Sequence, residues 1–231
     1  MQTITPPLTR QQIIDELNYH NTQSPAHAIQ SWIFVCSFDE LFSRRGKSDE
    51  YLVFQDVEIN QHPVIKDLKC SPDISIIPGL SPKKFKELKS YSITKYGVLP
   101  MLAIEIANSL ENELDYDVKT KLYEQFPIDE YWIIDLQLME ITIFNYDDEG
   151  ESYKQIQSPA DYISPQLGVG VQFVDEMARL IYNGEPIPLP DDLRGMIQAK
   201  DVALQEKDVA LQEKDELIQK LQQQIAQKDN S

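Results

Sequence analysis

One acid interrupts an almost unbroken apolar run, and polar residues follow it at helical spacing. The run is MLAIEIA, residues 101–107, and the acid is Glu105. A strand of this composition should be buried on both faces, where an ionised carboxylate is costly unless a metal ion or a side-chain cation compensates its charge. The residues that follow in steps of four are Asp115, Lys119 and Tyr123. The pattern therefore predicts a positively charged partner for Glu105.

A second acid, Asp73, lies in another short strand-like run, SPDISIIP, at residues 71–78. Two carboxylates, Asp73 and Glu105, and one lysine, Lys119, thus come from neighbouring elements of the predicted fold. Two hard oxygen ligands beside a lysine suit a Mg²⁺ or Mn²⁺ site for phosphodiester hydrolysis. Lys119 would then hold a nucleophilic water or stabilise a developing phosphorane charge.

Small side chains line the face of the predicted strand that carries Glu105. Because side chains alternate along a strand, Ala103 and Ala107 share this face, which leaves room for an ion and for an approaching helix. A plainer alternative is a surface ion pair between Asp115 and Lys119, which is worth only about 0.3–0.5 kcal/mol. The buried acid beside them favours the functional interpretation.

The elements that must position these residues form an α/β pattern. Apolar residues recur every four positions from Leu114 to Phe126, which predicts a helix over residues 113–126. Strand-like runs occupy residues 51–59, 72–78, 101–107, 131–136 and 139–146, with one more around 168–174. A strand, a helix and a strand in succession form a βαβ unit. The predicted fold class is α/β, with a mixed central sheet flanked by helices.

Two helices are predicted before the first strand. Thr9 and Gln12 form a capping box at the start of the first. Ser24 and Pro25 supply the N-cap and the first position of the second, which ends at Arg44-Arg45-Gly46. The apolar pattern of the second helix consists of Ile29, Trp32, Ile33, Cys36 and Leu41.

The net charge of −17 argues against a nucleic-acid partner, because affinity for DNA comes mainly from Lys and Arg side chains that neutralise phosphates. A local basic stretch between the two predicted ligand strands points the other way. Its candidate phosphate contacts are Lys83, Lys84 and Lys86. A solvated loop or helix face accounts for such a lysine run about equally well.

The amino-acid composition limits the classes of protein to which this chain can belong. A hydrophobic content of 42% is ordinary for a globular chain, and no run approaches the ~20 apolar residues of a membrane helix. We therefore expect a cytoplasmic protein without a membrane partner. Cys36 and Cys70 lack CxxC spacing, which makes a zinc site or a disulfide framework unexpected.

The C-terminal part of the chain predicts an appended helix. The heptad DVALQEK occurs at residues 201–207 and again at 208–214, so residues 193–231 form a coiled-coil-like tail whose apolar seam is interrupted by lysines. Residues 186–192 are proline-rich and form a linker, which leaves a nuclease-like domain at residues 1–185. The tail would serve as a homo-oligomerisation or partner-binding arm, and a single polar helix in solution is an equally weighted alternative.

These residues resemble a known family. The order of Asp73, the acid in LAIEIA, Lys119 with Tyr123, and the run DEYWIID at residues 129–135 is similar to that of the Uma-type putative restriction endonucleases. This family belongs to the PD-(D/E)xK nuclease superfamily. Its pattern has an acid in an apolar strand, an aspartate, a lysine and a tyrosine at the spacing found here, and then an EYWIVD-like strand. The resemblance covers about residues 10–180.

The resemblance implies a restriction-endonuclease-like core and DNA as the substrate. It implies that Asp73 and Glu105 bind Mg²⁺ or Mn²⁺, with the carbonyl oxygen of Ile106 as a further ligand. Lys119 joins the two acids as the third catalytic residue. Ala107 stands where the simplest motif of the superfamily has its lysine, so Lys119 would be that lysine in a relocated position.

Supporting residues are also implied by the resemblance. They are Asp115, Tyr123 and His27, although a lone histidine is more often structural. The identity of any additional acidic ligand from the first helices, Glu16 or Glu40, stays open.

Two main functions are compatible with the sequence, and a metal-dependent hydrolase of small phosphoesters is a third, less favoured alternative. The first is a Mg²⁺-dependent endodeoxyribonuclease that hydrolyses phosphodiesters with a metal-activated water. The second is a catalytically silent nuclease-fold protein that binds partners and assembles through its C-terminal helix, which the acidic composition favours.

Overall fold

A computed structural model describes residues 24–60, 68–85, 90–107, 114–190, 192 and 214. The chain divides into two compact units, residues 1–187 and 188–231, with the division close to the predicted proline-rich linker. The strands and helices below belong to the first unit. The predicted helix opened by Thr9 and Gln12 lies outside the described residues, as does nearly all of the tail at 193–231, so both remain predictions.

Eleven strands and three α-helices are present in the described residues. The strands are β1 (Tyr51–Gln55), β2 (Glu58–Asn60), β3 (Ile74–Pro78), β4 (Ser90–Ser92), β5 (Leu102–Ala107), β6 (Glu130–Asp135), β7 (Glu140–Asp147), β8 (Ser152–Gln155), β9 (Gly170–Val174), β10 (Met177–Tyr182) and β11 (Glu185–Pro186). The helices are α1 (Pro25–Arg44), α2 (Ile93–Tyr96) and α3 (Thr120–Gln125), and a π-helical turn (Leu114–Lys119) leads directly into α3. None of the described helices is long and apolar enough to cross a membrane.

A six-stranded sheet with the order β1-β3-β5-β6-β7-β8 organises the unit. The central pair β5 and β6 is parallel, and the other four pairs are antiparallel. The chain between β5 and β6 carries the π-helical turn and α3, so the predicted βαβ unit is present. The predicted fold class, a mixed sheet flanked by helices, is confirmed.

Apolar side chains are buried on both faces of this sheet, as the continuous apolar sequence of β5 predicts. Ile104 and Ile106 pack on one face with residues of α1 such as Phe38. Ala103 and Ala107 pack on the other face with residues of α3 and of the segments around it. The alternation predicted for β5 is therefore confirmed within the strand.

The α1 helix begins as predicted. The Ser24 hydroxyl accepts a hydrogen bond from the His27 amide at 3.2 Å, and Pro25 occupies the first helical position. Ile29 and Trp32 are 47% and 46% exposed, so these members of the predicted apolar pattern do not face the core. At 100° per residue they lie about 140–160° around the helix from Phe34, which is fully buried.

The predicted strand at residues 51–59 is divided in two. Asp56 adopts a positive φ of 51° and separates β1 from β2. As a result β2 leaves the main sheet and pairs in parallel with β4. The predicted strand near residues 168–174 is present as β9, which forms a second, three-stranded antiparallel sheet with β10 and β11.

Candidate active site

Antiparallel pairing of β3 and β5 brings two sequence-distant acids together. The register pairs Ile74 with Ile104, and one further step along both strands places Asp73 opposite Glu105. Both side chains are buried, with residue exposures of 3% for Asp73 and 0% for Glu105. The end of β5 and the start of β3 therefore form one carboxylate-bearing edge of the site.

Two side chains from the crossover between β5 and β6 reach Glu105. The Lys119 ammonium donates to Oε2 of Glu105 at 3.0 Å, and the Tyr123 hydroxyl donates to Oε1. Lys119 ends the π-helical turn and Tyr123 lies in α3, so their spacing of four places both on the face toward the sheet. The positive partner predicted for Glu105 is Lys119, which is itself 95% buried, since its residue exposure is 5%.

The Asp73 carboxylate is held by a backbone amide and by a histidine. Oδ2 of Asp73 accepts a hydrogen bond from the Ile106 amide at 2.7 Å and lies 3.0 Å from Nε2 of His27. His27 projects from the first turn of α1, which places this helix terminus over the start of β3. The other oxygen of Asp73, Oδ1, accepts no hydrogen bond from the described residues.

Opposite charges favour the ionised forms of Asp73 and His27. Burial raises the pKa of Asp73, but the hydrogen bond and charge of His27, with Lys119 and the Ile106 amide, bring that pKa below its usual range. Burial lowers the pKa of His27, but the hydrogen bond and charge of Asp73, with the charge of Asp56, outweigh this and raise that pKa. The two residues therefore form a buried ion pair whenever His27 is protonated.

Tyr123 is held in its neutral form. Burial raises the pKa of its phenol well above the usual range, and the adjacent negative charge of Glu105 adds to this effect. A phenol that keeps its proton remains a hydrogen-bond donor. Tyr123 can thus donate its hydrogen bond to Glu105 at neutral pH.

Lys83, the member of the lysine-rich stretch whose side chain is described, lies away from the two acids. Asp73 precedes β3, whose five residues rise about 16 Å before the chain continues to Lys83. The Lys83 ammonium bonds to Asp49 at 2.7 Å, with both side chains exposed. This position does not support the predicted phosphate contact by Lys83 beside the acids. The side chain of Lys84 and all of Lys86 lie outside the described residues.

Of the remaining acids considered from the sequence, only Glu40 has a described side chain. Glu40 lies thirteen residues after His27, about 20 Å along α1, and accepts a hydrogen bond from Arg44 at 2.7 Å. Glu40 therefore lies far along α1 from the residue that contacts Asp73. Glu16 and the side chain of Asp115 lie outside the described residues.

A further buried acid, Glu130, was not singled out from the sequence. It begins β6 at the opposite end of the sheet and accepts hydrogen bonds from Nε1 of Trp132 at 3.1 Å and Oγ of Ser164 at 2.5 Å. Burial raises the pKa of Glu130, and these hydrogen bonds partly offset the effect. Glu130 follows Asp129 and begins its strand, so it does not interrupt an apolar run as Glu105 does, and its burial carries a weaker signal in the sequence.

The donor set fits a hard divalent cation. The described residues contain no group of three or more His, Cys, Asp or Glu side chains arranged to hold a metal. Mg²⁺ needs no such group, because it keeps several waters and is commonly held by one or two carboxylates together with substrate phosphates. Asp73 and Glu105 are two such carboxylates on adjacent strands, and Oδ1 of Asp73 makes no hydrogen bond with the described residues.

The family model Uma2, described as "Putative restriction endonuclease", matches residues 7–178, which is well over half of the chain. The search of curated proteins gave no match. Among solved structures, a putative nuclease belonging to DUF820 from Anabaena variabilis ATCC 29413 is similar, with 13% identity and a TM-score of 0.45. The similarity covers 64% of this chain and 76% of the other.

Proposed function

This chain belongs to the Uma2 family of putative restriction endonucleases, and on that basis we propose that it is a metal-dependent endodeoxyribonuclease. The observation that carries the proposal is the meeting of Asp73, Glu105 and Lys119 in one buried site at the paired ends of β3 and β5. The family match also confirms the resemblance that was drawn from the residues alone.

Each residue of the site has a distinct role in the proposed reaction. Asp73 and Glu105 would hold Mg²⁺ or Mn²⁺, with the carbonyl oxygen of Ile106 as a further ligand. When bound, such an ion lowers the pKa of a water molecule and stabilises charge on the phosphate. Lys119 supplies a positive charge that can orient the water or stabilise the phosphorane.

The remaining polar side chains position the two acids. Tyr123 fixes one oxygen of Glu105, and His27 fixes one oxygen of Asp73, so that each carboxylate is held at a defined orientation. Such preorganisation matters because displacements of about 1 Å at a catalytic group can cost ~10²-fold in rate. His27 and Tyr123 are thus positioning residues in this proposal.

DNA cleavage by the purified full-length protein tests the proposal. Closed circular plasmid and linear DNA would be incubated with Mg²⁺, with Mn²⁺ and with a chelator. We expect cleavage of the closed circle only when the metal is present, because an endonuclease needs no free end. Glu105→Gln and Lys119→Ala should lower the rate by about 10²-fold or more.

Lys121→Ala is the matched control for Lys119→Ala. Two residues further along the helical segment, Lys121 is rotated by roughly 200° from Lys119 and should face away from Glu105. Its replacement should leave cleavage nearly intact. Equal loss in the two lysine variants, or no cleavage by the parent protein with any metal, would count against the nuclease proposal.

A catalytically silent binding or scaffold protein is the second candidate function. The net charge of −17 favours it, because such a charge opposes association with DNA phosphates. In that case the protein would assemble with copies of itself or with partners through residues 193–231. Absence of cleavage, together with self-association that depends on this tail, would support the second candidate.

A further inference from the structure

The carboxylate of Glu105 has both of its oxygens engaged by side chains. Oε2 accepts from Lys119 at 3.0 Å, and Oε1 accepts from Tyr123. Glu105 is 0% exposed and Lys119 is 5% exposed, so the ion pair is largely removed from solvent. A hard cation that binds Glu105 must therefore share or take over an oxygen that a side-chain donor already uses, and Lys119 is the donor that carries a charge.

We infer that Lys119 is the resting counter-ion of Glu105 and that a divalent cation binds by displacing its ammonium from Oε2. The inference rests on the proposed function, because it assigns the metal to the same two acids. Lys119 thereby weakens metal binding and is released from Glu105 only when the metal is present.

The electrostatics of the pair carry the inference. A buried carboxylate without a cation is strongly disfavoured, so Lys119 stabilises the site before any metal arrives. A metal ion and an ammonium group close to the same carboxylate repel each other, and this repulsion is strong where solvent screening is weak. Tyr123 carries no charge and can remain on Oε1 during the exchange. The long, flexible lysine side chain is the group that can move.

The exchange would also make the ammonium of Lys119 available to a substrate phosphate. While it is paired with Glu105, its charge is neutralised and unavailable to a phosphate. Once displaced, the ammonium can turn toward a phosphate held by the same metal. The metal thus determines when the lysine becomes available to the substrate.

Mn²⁺ titration by calorimetry, without DNA, tests the exchange in the full-length chain. The proteins to compare are the parent, Lys119→Met, Lys119→Arg and Lys121→Met. We expect Lys119→Met, which removes the competing charge, to bind Mn²⁺ about tenfold or more tightly than the parent. Lys119→Arg and Lys121→Met should show no such gain. Equal or weaker binding by Lys119→Met overturns the inference.

A second measurement uses only the parent protein, so it remains decisive if Lys119→Met does not fold. Amine-reactive labelling followed by mass spectrometry reports the accessibility of each lysine. Labelling of Lys119 should increase severalfold when Mn²⁺ is added, and labelling of Lys121 should stay constant. Unchanged labelling of Lys119 under saturating Mn²⁺ overturns the inference.

The two measurements separate failure of the exchange from failure of the proposed function. The parent and Lys119→Met could bind Mn²⁺ with equal affinity, and Glu105→Gln could abolish this binding in both. That result would support the metal site and exclude only the exchange. If neither the parent nor any lysine variant binds Mn²⁺, both the proposed metal-dependent function and the exchange are excluded.

Discussion

The amide of Ile106 donates to the Asp73 carboxylate at 2.7 Å, which joins the end of β5 to the residue that precedes β3. The side chain of Asp73 thus links the two strands just beyond their last regular backbone pair, Ile74 with Ile104. Because this hydrogen bond uses the backbone next to Glu105, the position of Asp73 relative to Glu105 is fixed by the sheet itself. The two acids therefore keep their relative positions as long as β3 and β5 stay paired.

Removal of the hydroxyl from Tyr123 should destabilise the protein and disturb Glu105. Tyr123→Phe deletes a hydrogen bond to a buried, charged acceptor, and such bonds contribute about 1.5–3 kcal/mol. We expect the free energy of unfolding in urea to fall by about 2 kcal/mol. The matched control is Tyr153→Phe, which removes a 2.9 Å hydrogen bond to the neutral carbonyl oxygen of Ile128 and should cost about 1 kcal/mol. A larger loss in Tyr153→Phe would contradict the prediction.

The His27 and Asp73 pair should make stability depend on pH. The pKa of His27 is raised from 6.5 in the folded state, so its contribution is complete below pH 6.5 and is lost as pH rises through the folded-state pKa. The pKa of Asp73 is lowered from 3.8, so its contribution is present above pH 3.8 and is lost as pH falls. In His27→Ala the free energy of unfolding should no longer decline as pH rises above 6.5. In mildly acidic solution this variant should be less stable than the parent by about 3 kcal/mol.

Urea unfolding of the parent and His27→Ala across this pH range, with a chelator present, measures the effect. The chelator excludes any contribution from metal bound to Asp73. Parallel curves for the two proteins above pH 6.5 would show that His27 does not titrate in contact with Asp73.

Glu130 should produce a pH dependence of stability opposite to that of Asp73. Its pKa is raised from 4.5 by burial, so the folded state holds the proton more tightly than the unfolded state, and stability falls as pH rises from 4.5 to the folded-state pKa. Glu130→Gln should abolish this loss relative to the parent, as measured by thermal unfolding at closely spaced pH values. DNA cleavage should change little, because Glu130 lies at the other end of β6 from the candidate site. A constant difference in stability between the two proteins at every pH would refute the prediction.

Truncation tests the predicted role of the tail. Removal of residues 193–231 should leave a folded domain with the same metal affinity and abolish any self-association through the tail. Lysines within the heptad seam make pairing dependent on flanking acids, so association of the full-length chain should weaken as salt concentration rises. Sedimentation of the full-length and truncated chains at low and high salt measures this. The same oligomer size in all four samples would exclude assembly through the tail.

The sequence predicted the parts of the site that depend on local spacing. The apolar run around Glu105 indicated a doubly buried strand, and the spacing of four placed Lys119 and Tyr123 on one helical face. Both side chains contact Glu105 in the structure. Periodicity suffices here because β5 and the helical segment after it are consecutive elements of one βαβ unit.

Contacts between distant elements could not be predicted in this way. His27 and Asp73 are 46 positions apart, and their contact depends on how α1 crosses the sheet. The exposure of Trp32 also depends on contacts between distant elements. Apolar residues occur on both sides of α1, and only the packing of the helix on the sheet determines which side is buried. The turn between β10 and β11 is different, because Asn183-Gly184, with φ angles of 55° and 83°, is a local hairpin signal that is visible in the sequence.

The parallel pairing of β5 with β6 has a consequence for the order of folding. The β6–β7 hairpin closes over residues 136–139, whereas pairing of β5 with β6 must bridge residues 108–129. The difference in loop length corresponds to about 1.5 kcal/mol of closure entropy. We therefore expect the hairpin to form first and β5 to join it later. Lys119 and Tyr123 lie on the bridging segment and meet Glu105 only in that later step, so a partly folded chain can hold the β6–β7 hairpin before the candidate site exists.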